Sequence, residues 1–97
     1  MASGGLEMAR QLVNPFKFLR EAVDSRIYVK LKDGSEYVGT LIATDATMNL
    51  ILDDAIEVAE GGRRVVAKVG RILIKGSMVE FISFNPELAA EGALLGS

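Results

Sequence analysis

Two adjacent carboxylates, Asp53 and Asp54, are the side chains in this 97-residue chain that most directly suggest catalysis. They lie in a segment with a strand pattern, where neighbouring side chains point to opposite faces, so they do not form a carboxylate pair. The chain contains no histidine and no cysteine, which excludes an imidazole base, a thiol nucleophile and a zinc finger. The sequence therefore predicts a protein that is not an enzyme and that uses no metal, cofactor or small-molecule substrate.

Positive charge is concentrated in one stretch of the chain. Between Glu60 and Glu80 there are basic residues but no acidic ones: Arg63, Arg64, Lys68, Arg71 and Lys75. The formal net charge of the whole chain is −2, so it is not a uniformly basic nucleic-acid-binding protein. The stretch predicts a surface that faces an anion, although a solvated strand face accounts for the same pattern.

A short helix is expected before the strands that carry these residues. Residues 1–13 have no sustained periodicity and are expected to form a flexible leader. Asn14 can cap a helix and Pro15 suits its first turn, which predicts a helix over residues 14–24. At the other end of the chain, residues 86–97 are expected to form a tail.

The segment over residues 26–84 has the pattern of five antiparallel strands joined by tight turns. From Arg26 apolar and polar residues alternate, as in a half-buried strand. Gly39 and Gly70 fall inside strands, where glycine marks a bend or a close backbone approach. The expected fold is mainly β, with a short N-terminal helix followed by a strongly bent five-stranded antiparallel open barrel. Helix and barrel would form one domain over residues 14–85.

Neither a secretory signal nor a membrane span is predicted. The N-terminal residues lack the basic stretch and apolar run of a signal peptide. The longest aliphatic runs, at residues 50–52 and 72–74, are far too short to cross a bilayer. The absence of cysteine gives no indication of an oxidising compartment, so the expected location is the cytoplasm.

Two separated motifs resemble those of the Sm and Sm-like (LSm) family, and most closely those of its archaeal single-domain members. The first comprises residues 29–34, 38–41 and 45–52, with a glycine inside a strand and an Asp-x-x-Met-Asn turn. The second comprises residues 69–79, with Lys-Gly where the family usually has Arg-Gly. Together with the strand count, the two motifs identify most of the chain as similar to this family.

The resemblance implies a bent five-stranded open barrel with a helix over it. It also implies a ring of six or seven identical chains, which holds single-stranded, U-rich RNA at its pore within a ribonucleoprotein. The RNA-binding residues would lie on two turns: Asp45, Thr47 and Asn49 on the first, Lys75, Gly76 and Ser77 on the second. Lys17 and Arg20 on the helix are a candidate outer RNA surface, or simply a solvated helix face.

The residues at the implied site depart from the family pattern. Thr47 stands where the family has histidine or an aromatic residue that stacks on the base, and Lys75 replaces an arginine. Ser77 occupies a position where archaeal members often have aspartate. Threonine has no aromatic face and lysine lacks the planar guanidinium, so the sequence predicts weakened binding of uridine. A scaffold ring of the same fold that contacts proteins is the alternative.

Oligomerisation is also expected from the strand pattern itself. An open barrel leaves two strand edges unpaired, and residues 65–74 and 76–84 are the candidate edges. Head-to-tail pairing of these edges between copies gives a closed ring when the rotation closes.

Overall fold

The computed structural model describes residues 15–84. Its elements are helix α1 (Pro15–Glu21) and strands β1 (Arg26–Leu31), β2 (Glu36–Thr44), β3 (Leu50–Ala59), β4 (Arg64–Ile74) and β5 (Val79–Ser83). Short 3-10 turns at Glu60–Gly62 and Gly76–Met78 precede β4 and β5. The predicted leader over residues 1–13, the capping residue Asn14 and the predicted tail over residues 86–97 lie outside the described residues.

Helix α1 ends earlier than the predicted boundary at residue 24. Its last residue is Glu21, because Asp24 adopts a left-handed conformation, with φ of 76°, which cannot continue a right-handed helix. The backbone N–H of Asp24 instead donates to the carbonyl oxygen of Leu41 on β2, at 2.7 Å. The fully buried side chain of Leu19 packs α1 onto the sheet. No helix within residues 15–84 has the length and apolar character that a membrane span requires.

The five strands form one antiparallel sheet in the order β4-β3-β2-β1-β5. Strands β1 to β4 are joined as successive hairpins, and β5 returns to pair with β1. This arrangement confirms the predicted mainly β fold with its short N-terminal helix. It leaves β4 and β5 as the two edge strands of the sheet.

Strands β2 and β3 approach each other closely at an irregularity in their pairing. At Gly39 the register between the two strands shifts, and an added Cβ would lie 3.0 Å from the Cβ atoms of both Ala55 and Leu52. Real Cβ contacts are rarely this short, so the missing side chain is what lets the strands approach. The close approach predicted from the glycine is therefore present.

One buried polar cluster departs from the simple alternation of strand β1. Alternation would leave Tyr28 facing solvent, yet it is only 5% exposed and its ring lies 5.8 Å from that of Phe81. Its hydroxyl donates to Oε1 of the buried Glu36 at 2.7 Å, and the Gly61 N–H donates to the same oxygen at 2.9 Å. Burial first, and then the hydrogen bond to Glu36, raise the pKa of Tyr28. The cluster ties β1 and β2 to the turn before β4.

Candidate nucleic-acid interface

A single carboxylate organises the turn between β2 and β3. Asp45 Oδ1 accepts hydrogen bonds from the Thr47 hydroxyl at 2.6 Å, the Thr47 N–H at 2.9 Å and the Asn49 N–H at 3.1 Å. Its second oxygen, Oδ2, accepts from Asn49 Nδ2 at 3.1 Å. These bonds, with that of the Thr47 hydroxyl foremost, hold the pKa of Asp45 below its ordinary value. Asp45 is thus a turn former that fixes the positions of Thr47 and Asn49.

Asn49 joins this turn to the turn between β4 and β5. While its Nδ2 donates to Asp45, its Oδ1 accepts a hydrogen bond from the Gly76 N–H at 2.8 Å. A Cβ at Gly76 would overlap the carbonyl oxygens of Thr47 and Met48, so only glycine allows the two turns to meet this closely. Residues far apart in the sequence therefore form one continuous polar surface, called the paired turns below (residues 45–49 and 75–78).

All six residues predicted for the pore slot fall within the paired turns. Asp45, Thr47, Lys75 and Ser77 are exposed, whereas Asn49 and Gly76 are half-buried. Lys75 has no salt-bridge partner among residues 15–84. The paired turns therefore carry the side-chain amide of Asn49 and, on Lys75, a cation without a salt-bridge partner among the described residues.

The other charged residues singled out in the sequence lie elsewhere. Arg71 contacts Asp53 Oδ2 at 3.2 Å and lowers the pKa of that carboxyl, so Asp53 forms an ion pair across the strands. Arg64 pairs with Glu60 at 2.9 Å. Two residues of the predicted basic stretch are thus matched by carboxylates, which reduces the anion-facing charge along β4.

The two candidate residues of the outer RNA surface are on helix α1. Lys17 and Arg20 are both exposed. The Arg20 guanidinium carbon lies 5.5 Å from the centre of the Phe16 ring, which stabilises its position by a cation–π contact.

Two concave surfaces beside the paired turns were not foreseen. A cleft of about 160 Å³ is lined by Ala43, Thr44, Asp45, Asn49, Ile51 and Leu73. On the other side, an apolar groove of about 520 Å³ runs along β5 and is bordered by Phe18, Met48, Gly76, Val79 and Phe81 among others. Alternation could place Leu73 and Ile51 on the outer face, but only the strand register brings them together.

The sheet order, the overlying helix and the paired turns define the class of small, helix-capped β-barrels with Sm topology. The chain belongs to the LSM domain family, whose sequence profile matches residues 17–84. The predicted resemblance to Sm and Sm-like proteins is therefore confirmed.

Relatives and solved structures match over most of the chain. An Sm-like protein of Archaeoglobus fulgidus is 43% identical over 72 residues, which cover 74% of this chain and 91% of the relative. The structure of a Pyrococcus abyssii Sm protein in complex with a uridine heptamer has a TM-score of 0.65 and 36% identity, covering 71% of this chain and 94% of that one. A heptameric archaeal Sm protein gives a TM-score of 0.61 and 36% identity, with coverages of 69% and 94%.

Proposed function

We propose that this protein forms a ring of identical subunits that binds single-stranded RNA at the paired turns, as part of a ribonucleoprotein. The observation that carries the proposal is the 2.8 Å hydrogen bond between Asn49 Oδ1 and the Gly76 N–H. It holds an amide and the cation of Lys75 on one surface, so that each subunit offers a base-edge contact and a phosphate contact together. Similarity to the Pyrococcus abyssii protein solved with a uridine heptamer supports this function.

The edge strands support the ring. Strand β4 is exposed along most of its length, and its apolar side chains include Val65 at 59% and Leu73 at 66% exposure. Strand β5 borders the apolar groove of about 520 Å³, to which α1 contributes Phe18. Pairing β4 of one copy with β5 of the next would continue the sheet and cover both apolar surfaces. Similarity to a heptameric Sm protein favours seven subunits.

Base recognition in this proposal depends on hydrogen bonds and charge. The Asn49 side-chain amide has two hydrogens, of which one is directed to Asp45, so the other can be donated to a base. Lys75 attracts the phosphates without distinguishing bases, with the backbone around Gly76 and Ser77 as the third contact. Neither Thr47 nor Lys75 provides a planar stacking face, so uridine is bound weakly and binding is sensitive to salt.

The scaffold alternative is disfavoured, because Asn49 and Gly76 join the two turns and a similar protein was solved in complex with a uridine heptamer. Lys17 and Arg20 are proposed as an outer RNA surface on α1. The protein performs no covalent chemistry, and its proposed location is the cytoplasm.

The test compares two substitutions, each of which removes one positive charge. Lys75→Gln should weaken binding of a uridine heptamer by at least about tenfold, or about 1.4 kcal/mol, and should reduce the dependence of affinity on salt. Lys68→Gln is the control, because Lys68 is also exposed but lies within β4. Fluorescence anisotropy gives the affinities, and native mass spectrometry confirms that both variants form rings. A wild-type ring without measurable RNA binding, or equal losses in both variants, would contradict the proposal.

A further inference from the structure

The two edge strands of the sheet carry opposite charge. Within the strands as the structure describes them, β4 has three basic side chains and no acidic one, whereas β5 has one acidic side chain and no basic one. The basic residues are Arg64, Lys68 and Arg71, and the acidic residue is Glu80. Like charges that face each other across paired strands are destabilising, whereas opposite charges are stabilising. Pairing of two β4 edges or of two β5 edges is therefore disfavoured, and pairing of β4 with β5 is favoured.

The connection between β4 and β5 determines which parts of the two edges meet in a ring. Strand β4 ends at Ile74 and β5 begins at Val79, so the turn over residues 75–78 keeps both of these strand ends at the same end of the barrel. Rotation about a ring axis moves each copy around the axis and not along it, so the same ends are level in neighbouring copies. The start of β5 in one copy therefore comes beside the end of β4 in the next, with the two strands antiparallel.

We propose that Glu80 of one copy forms an ion pair with Arg71 of the next copy, and that this contact selects head-to-tail pairing of the edges. The inference rests on the proposed ring and names two residues that hold it together. Glu80 is the second residue of β5, so it faces Leu73, the second residue from the end of β4. Arg71 lies two residues further along the same face of β4. Long side chains reach such diagonal neighbours across paired strands.

Both side chains are available for this contact. Glu80 falls at an irregularity in the pairing of β5 with β1, where Val79 and Phe81 have partners on β1 and Glu80 between them has none. Its side chain is exposed and forms no salt bridge within the described part of the chain. The Arg71 side chain is two-thirds exposed while its Nη2 contacts Asp53 at 3.2 Å. Arginine has five N–H donors, so the guanidinium can bind Glu80 and keep its contact with Asp53.

Reversal of the charge on β5 tests whether the edges attract each other. Glu80→Arg places a basic side chain against the basic edge of β4, so the protein concentration at which rings dissociate should rise by at least about tenfold in sedimentation velocity. The difference from wild type should shrink in about 1 M salt, where charges are screened over about 3 Å. Glu21→Arg is the matched control, because Glu21 is also exposed but lies at the end of α1 and does not border the apolar groove.

Two further samples test whether Arg71 is the partner. The double variant Arg71→Glu with Glu80→Arg should recover the ring, because the exchanged charges attract again. An equimolar mixture of the two single variants should form mixed rings at a concentration at which neither forms rings alone, because opposite charges then meet wherever the two alternate. Native mass spectrometry gives the composition of the rings, and circular dichroism confirms that each variant is folded. If Arg71→Glu does not fold, Arg71→Gln takes its place, and the loss caused by Glu80→Arg should be smaller in that background.

The outcomes separate this inference from the proposed function. Rings of Glu80→Arg that are as stable as those of wild type overturn the inference and leave the proposed function intact. A weakened Glu80→Arg ring that no change at Arg71 rescues overturns it as well, because the charge on β5 then has another partner. Absence of rings in the wild-type protein instead refutes the proposed function itself.

Discussion

Asn49 serves the fold and the binding surface with the same amide group. Its oxygen is engaged by Gly76 and one of its N–H groups by Asp45, so that part of the amide is structural before any base arrives. Replacing Asn49 with alanine would therefore open the paired turns as well as remove a base contact. For this reason the role of the surface in RNA binding is better tested at the exposed Lys75, and at Thr47 only with a control for the loss of its hydroxyl bond to Asp45.

The two exposed residues define a gain-of-function prediction. Thr47→His combined with Lys75→Arg introduces an aromatic ring and a guanidinium plane on either side of Asn49, and base stacking is worth about 1–3 kcal/mol per base. We expect at least about tenfold tighter binding of a uridine heptamer in anisotropy measurements. Thr47→Val with Lys75→Arg is the control, because it removes the same hydroxyl without adding a ring. Equal affinities of the two double variants would show that stacking plays no part at this site.

The carboxylate of Asp45 makes the stability of the turn between β2 and β3 depend on pH, and the direction of its pKa shift sets the sign of this dependence. Its pKa is lower in the folded chain than its ordinary value, so folding favours the charged form. The stabilisation is complete above the ordinary aspartate pKa of about 3.9 and is lost as the pH falls through the lowered folded value. Wild-type protein should therefore lose its thermal stability advantage over Asp45→Asn as the pH falls from about 5 through the lowered pKa of Asp45. Circular dichroism melts measure the difference, and a constant advantage across this range would contradict the assignment.

At the scale of elements, the contact between the two turns depends on one missing side chain. Gly76→Ala places a Cβ against the carbonyl groups of Thr47 and Met48, and forced overlaps of this kind cost about 1–3 kcal/mol. We expect a lower free energy of unfolding in denaturant titrations and weaker RNA binding. Ser77→Ala, a change at the next and exposed residue of the same turn, should leave the stability nearly unchanged. Similar stabilities of the two variants would mean that the turns can separate without cost.

The helices and strands could be predicted from the sequence where the pattern that specifies them lies within a few neighbouring residues. Alternation and turn residues gave the five strands, and the glycine at Gly39 indicated the close approach of β2 and β3. The end of α1 was missed because Asp24 is held by a backbone hydrogen bond to Leu41, a partner on another element. The joining of Asn49 to Gly76 and the burial of Tyr28 likewise depend on strand register, which the sequence pattern does not specify.

For the whole molecule, the groove along β5 predicts how the ring can be weakened. Phe18 is 42% exposed and borders the groove, whereas Phe16 on the same helix does not. Phe18→Ser should shift the dissociation of the ring to higher protein concentration, because apolar area buried between copies contributes about 25 cal/mol per Å². Phe16→Ser is the matched control. Sedimentation velocity over a concentration series gives the comparison, and equal behaviour of the two variants would exclude the groove as the contact between subunits.

The buried phenol of Tyr28 provides a way to measure how often the sheet around it opens. An exposed phenol exchanges its proton with hydroxide almost at once, but the hydroxyl of Tyr28 donates a hydrogen bond to Glu36 and its ring packs against that of Phe81. Burial and the hydrogen bond to Glu36 raise its pKa, so we expect alkali to ionise it mainly in molecules in which this part of the sheet has opened. The chain contains two tyrosines, so a Tyr37→Phe protein carries Tyr28 as its sole phenol. After a jump to alkaline pH, the rate at which phenolate absorbance grows is then expected to report the rate at which β1 separates from its neighbours.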